Sequence, residues 1–113
     1  MRRIRVRNQV EVIHRWPKAP LEVAYLKQPH RHIMHITTDI DVAHDDRELE
    51  FIMVKHFIDD ILKSTTMAST ISCEQIARNV VEQLQANYGK HRYYRVLVEE
   101  DGENGAMIDS EEV

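Results

Sequence analysis

The chain has one cysteine, Cys73, among 113 residues, so no intrachain disulfide can hold it together. Such a sequence suits a reducing compartment, and nothing near the N-terminus pairs a basic segment with an apolar signal core. The expected location is therefore cytoplasmic. No apolar stretch approaches the ~20 residues that a membrane span requires. Positive charge is not in excess either. Lysine and arginine number 15 against 19 acids, a net charge of −4 and a pI near 5.9, which argues against a dedicated nucleic-acid binder. Proline is scarce, and Pro17, Pro20 and Pro29 all fall between Arg15 and Pro29.

The 42% of hydrophobic residues in 13.3 kDa suffices for one core and leaves little room for a second, so a single domain over 1–113 is expected. The charges are unevenly spread. Arg2, Arg3, Arg5 and Arg7 crowd the start, while the stretch after Arg95 holds seven acids and no base. Copies of such a chain can meet head to tail, or each end can simply be solvated. The arginines can hold phosphates, but strand alternation also puts them in solvent.

Ile4, Val6, Val10, Val12 and His14 share one phase of an alternating run over residues 3–14, with Arg3, Arg5, Arg7, Gln9 and Glu11 in the other. This pattern predicts a half-buried strand. Arg15 to Pro29 is too proline-rich for a strand or ordinary helix and reads as a long loop. A second strand is expected from His30 to Val42, antiparallel to the first. Leu49, Ile52, Val54, Phe57, Ile58, Ile61 and Leu62 have helical spacing behind Asp45 and Asp46, acids suited to a helix start. After a polar bridge, Ser72 and Gln75 form a capping box that opens a second helix with the stripe Ile76, Val80, Val81 and Leu84, terminated at Gly89. Tyr93 to Val98 reads as a third strand and Ala106 to Asp109 as a fourth, with turn residues between and the last four residues frayed. The order β-β-α-α-β-β implies an α+β fold, a four-stranded antiparallel sheet with two helices on one face.

The chemistry centres on His30-Arg31-His32. Residues i and i+2 of a strand point to one face, so both imidazoles face the same way, half of a metal site. His14, ending the covered phase of the first strand, is the candidate third ligand. One histidine on an apolar face is more often a hydrogen-bonded core residue; three imidazoles with an open fourth position make a zinc site. His35 lies on the opposite face, and His44, His56 and His91 read as surface residues. Glu74 in the first turn of a helix is favoured by the helix dipole alone, and Cys73 there is either a reactive thiol or a small packed residue.

This element order, with Val12-Ile13-His14-Arg15 closing strand one and His30-Arg31-His32 opening strand two, resembles the 6-pyruvoyl tetrahydropterin synthase and 6-carboxytetrahydropterin synthase family. Leu49-Glu50-Phe51 with Val54-Lys55, Ile71-Ser72-Cys73-Glu74-Gln75 and Val98-Glu99-Glu100-Asp101 are similar to further family segments, so the resemblance runs from Val10 to Ile108. It implies the T-fold and a zinc ion on His14, His30 and His32. Glu100 would be the carboxylate that anchors a pterin ring, with Glu74 and Cys73 near the same pocket. A carboxylate accepts two parallel hydrogen bonds from the amino and ring N–H groups of a guanine-like heterocycle. The resemblance also implies a homo-oligomeric ring, commonly a hexamer of two stacked trimers, with pockets between neighbours. Two family features are missing. Leu26 stands where the catalytic cysteine belongs, and Lys63 to Thr70 lacks the Leu-Asp-His segment that activates it. One expectation is therefore a protein that binds a pterin or other purine-like ligand without the usual turnover, as a small phage-encoded or regulatory protein would. The other is an active zinc-dependent lyase acting on 7,8-dihydroneopterin triphosphate, its base replaced by Cys73, Glu22 or a residue of a neighbouring subunit.

Overall fold

A computed structural model describes all 113 residues. Strands β1 (Arg2–His14) and β2 (His30–Val42) form a long hairpin; helices α1 (Phe51–Thr65) and α2 (Cys73–Tyr88) follow, then β3 (Tyr94–Glu100) and β4 (Asn104–Asp109). The sheet runs in the order β1-β2-β3-β4, antiparallel throughout, which bears out the α+β arrangement expected from the sequence. Val6 and Val12 of β1, Met34, Ile36 and Ile40 of β2, and Tyr94, Val96 and Val98 of β3 are buried in one core with residues of both helices. Each helix contributes one stripe to it: Val54, Ile58, Ile61 and Leu62 from α1; Ile76, Ala77, Val80, Val81 and Leu84 from α2. Fully burying one such aliphatic side chain is worth roughly 1.5–3 kcal/mol, which is why the two stripes share one face of the sheet. No helix is long and apolar enough to cross a membrane.

Helix α2 starts as its sequence implies, with the Ser72 and Gln75 side chains capping reciprocally, and it stops at Gly89, whose φ of 105° suits glycine. Helix α1 does not start at the aspartates. Arg47, at φ 55°, interrupts any helix there, and the Ala43 N–H donates to Glu48 instead. Glu50 is the N-cap, its carboxylate accepting from the Ile52 and Met53 N–H groups, so Leu49 packs against the core from outside the helix. The proline-rich stretch is not all loop. Leu21–Lys27 winds as 3₁₀ turns kinked at Val23, and Trp16 N–H donates to the Leu26 carbonyl across it. Nor is the C-terminus wholly frayed, because Ser110 exchanges hydrogen bonds with Tyr94.

On the uncovered face, register places Asp39 between Arg5 and Arg95. Asp39 accepts two hydrogen bonds from Arg5 at 2.8 and 3.1 Å and one from Arg95 at 2.8 Å. The Arg5 hydrogen bonds, above all, hold the Asp39 carboxyl below its usual range, with Arg95 adding to the effect. Arg3 stacks on the Tyr93 ring and Arg2 pairs with Asp45, so three of the four N-terminal arginines are engaged within the chain.

Candidate metal centre

The β1–β2 register sets His14 directly opposite His30 and His32 opposite Val12, and the β2–β3 register sets Glu100 opposite Met34. Paired residues share a face and alternate residues return to it, so all four side chains sit on the helix-covered face, at the end where β1 finishes and β2 begins. Their four ligand atoms lie within 4.8 Å of one another. The ring centroids are 4.6 Å apart for His14 and His30, 5.0 Å for His30 and His32, and 5.4 Å for His14 and His32.

Each imidazole is oriented by its other nitrogen. His14 Nδ1 donates to the Ile71 carbonyl at 2.8 Å, His30 Nδ1 to the Gln28 carbonyl at 2.9 Å, and His32 Nδ1 to Asp101 Oδ2 at 2.7 Å. Carbonyls and an ionised carboxylate only accept, so the proton belongs on Nδ1 in all three rings and Nε2 is left as the donor atom. Histidines that bind metals are held in this way. The supports come from three loops: the segment before β2, the residue before the cap of α2, and the turn after β3.

Glu100 Oε2 lies 2.8 Å from His32 Nε2 and 3.4 Å from His14 Nε2. With Nδ1 carrying its proton, His32 Nε2 and Glu100 Oε2 are both acceptors, so a cation, either a proton or a metal ion, must lie between them. Neither Glu100 nor Asp101 is paired with a lysine or arginine, which leaves their charge for such a cation. Three imidazoles and one carboxylate are donors that suit zinc and other divalent transition metals.

The remaining candidates are not members of this group. Cys73 is buried at the start of α2, and burial first, then the Glu100 and Glu74 carboxylates, push its thiol up to about 11. It is therefore protonated at neutral pH and a weak nucleophile in the metal-free protein. Glu74 is solvent-exposed one residue on, and Glu22 is exposed on the 3₁₀ segment; neither joins the four-residue group. His35 faces the other side of the sheet and, with Arg7, Gln9, Thr37 and Glu99 of the strands and Lys55 and Asp59 of α1, lines a cavity of about 700 Å³; none of these belongs to the four-residue group. Sequence reasoning missed Asp101 as the His32 partner. Its signal was an aspartate directly after Glu100, at a turn position where φ is 55° and aspartate is tolerated.

Compared with known proteins, the chain matches no family model and no curated protein.

Proposed function

We propose that the chain is a zinc-binding protein of the tetrahydropterin synthase type that takes a pterin or other guanine-like ligand beside the metal, in a pocket between subunits, without that family's usual turnover. The observation that carries this reading is the convergence of three imidazoles, each with Nδ1 tied to a fixed acceptor, on one point beside the Glu100 carboxylate. His14, His30 and His32 would hold the ion, and Glu100 would receive the amino and ring N–H groups of the heterocycle. Zinc, when bound, supplies a Lewis acid for an oxygen of the ligand. Proton transfer is where the chain departs from an enzyme. Leu26 has no ionisable group, Lys63 to Thr70 carries neither aspartate nor histidine, and the Cys73 thiol of the metal-free protein is held protonated by burial.

The test is to incubate zinc-loaded protein with 7,8-dihydroneopterin triphosphate and analyse solution and protein-bound fractions by mass spectrometry. Unchanged compound retained on the protein is the expected result. Conversion to a pyruvoyl or carboxy tetrahydropterin would instead establish an active lyase with a relocated base. The absence of both turnover and retention would sink the pterin reading.

A further inference from the structure

We propose that Glu100 is the fourth protein ligand of the resting metal and that a guanine-like ligand opens the metal by drawing this carboxylate away. The proposal rests on the function proposed above and adds a switch within one side chain.

Glu100 Oε2 lies inside the group of donors rather than beside it, 2.8 Å from His32 Nε2 and 3.4 Å from His14 Nε2. The carboxylate is also 32% exposed, so it is reachable from solvent. A guanine-like edge offers two parallel N–H groups and needs both carboxylate oxygens in one plane. An oxygen bound to a metal ion has given up most of its accepting capacity, so the two duties compete.

No nearby carboxylate can take over either duty. Both oxygens of Asp101 are occupied, Oδ2 by His32 and Oδ1 by the Ile33 N–H at 2.9 Å. Glu99 is opposite His35 in the register and points to the other face of the sheet. Glu74 is exposed on α2 and outside the donor group. One side chain therefore serves both partners. Ligand engagement leaves the metal with three imidazoles and an open position, the arrangement of a reactive rather than a structural site. Linkage makes the coupling reciprocal: whatever the metal costs the ligand at Glu100, the ligand costs the metal–carboxylate bond.

The experiment uses cobalt(II) in the full chain as a visible reporter of coordination and neopterin as the probe ligand. Wild type, Glu100→Gln and Glu100→Asp are compared for cobalt affinity, cobalt absorption and neopterin retention by equilibrium dialysis. Glu100→Gln is expected to bind cobalt about tenfold or more weakly, with an altered visible spectrum. Neopterin added to the wild type should move its spectrum toward that of Glu100→Gln and leave the variant unchanged. Wild-type cobalt affinity and spectrum in Glu100→Gln would overturn the proposal whatever neopterin does. Neopterin retained by the wild type without any spectral change would also overturn it. Retention by no form would sink the pterin reading and the opening step with it, while the Glu100–metal bond would still stand on the affinity and spectrum. Should metal-free Glu100→Gln lose its far-ultraviolet helix signal, Glu100→Asp decides the same comparisons.

Discussion

Asp101 holds His32 and the edge of β2 at once: Oδ2 accepts from His32 Nδ1 at 2.7 Å while Oδ1 accepts from the Ile33 N–H at 2.9 Å. The Asp101 N–H in turn donates to the Ile33 carbonyl at 2.7 Å, so the residue is locked to β2 from both backbone and side chain. The His32 hydrogen bond, more than the Ile33 N–H, keeps its carboxyl below the usual range. Asp101→Asn keeps the left-handed backbone and one acceptor but loses the charge that makes His32 a better donor to a metal. We expect zinc affinity to fall by about 10- to 100-fold, measured against a chromophoric chelator, with the fold intact. Wild-type affinity would remove Asp101 from any part in metal binding.

Metal loading should itself stabilise the chain. A ligand that binds only the folded state adds about 2.7 kcal/mol when its free concentration is a hundred times its Kd. Thermal unfolding should therefore shift upward with zinc and return with a chelator. His32→Ala should shrink the shift markedly, because it removes one of the four donors together with the Asp101 support behind it. Binding must also weaken as pH falls, because protons compete for Nε2 and for Glu100. An unfolding curve that ignores zinc at every concentration would count against the site.

At the opposite end of β2 from the histidines, Glu48 anchors the segment between β2 and α1. Its two oxygens accept from Arg92 at 3.1 and 3.0 Å, and Oε1 also accepts the Ala43 N–H. The Arg92 hydrogen bonds first, then the Ala43 N–H, bring its carboxyl from 4.5 down to about 2. A folded-state value below the unfolded one means that the contribution is fully present above pH 4.5 and is lost as pH falls toward about 2. Glu48→Gln should therefore unfold at a lower urea concentration than wild type at pH 7. The gap should narrow between pH 4.5 and about 2. A gap of constant size across that range would show that the charge is not what matters.

Much of this architecture was legible because each strand faces one covered layer. Alternation placed β1 to within a residue, and Pro29 and the polar residues after Val42 bounded β2 at the observed ends. The Ser72–Gln75 box and Gly89 marked both ends of α2 through local hydrogen bonding alone. What stayed hidden depended on pairing across the chain. Asp39 lies 34 residues from Arg5 and 56 from Arg95, and only register brings the three together. Asp101 meets His32 across 69 residues for the same reason. The start of α1 was misread because Asp45 and Asp46 look like first-turn acids, whereas a glutamate, a less usual cap, performs that task at Glu50.

Cys73 offers the sharpest separation between a binding protein and an enzyme that has moved its base. The thiol is 7% exposed, and burial together with the Glu100 and Glu74 carboxylates pushes it up to about 11. At pH 8 roughly one molecule in a thousand would then carry the thiolate, about a hundredfold less than an ordinary exposed cysteine. Iodoacetamide should accordingly modify the folded, metal-free protein very slowly and the urea-unfolded chain quickly. A metal ion on the neighbouring histidines would draw the thiol back down, so any rate increase on zinc addition reports the ion's field at Cys73. Cys73→Ser should keep both zinc and ligand, because the thiol is outside the four-residue donor group and the proposed anchor of the heterocycle is Glu100. Fast alkylation of the folded metal-free chain, or loss of ligand in Cys73→Ser, would place the thiol in the working site and favour the relocated-base enzyme over the binding protein.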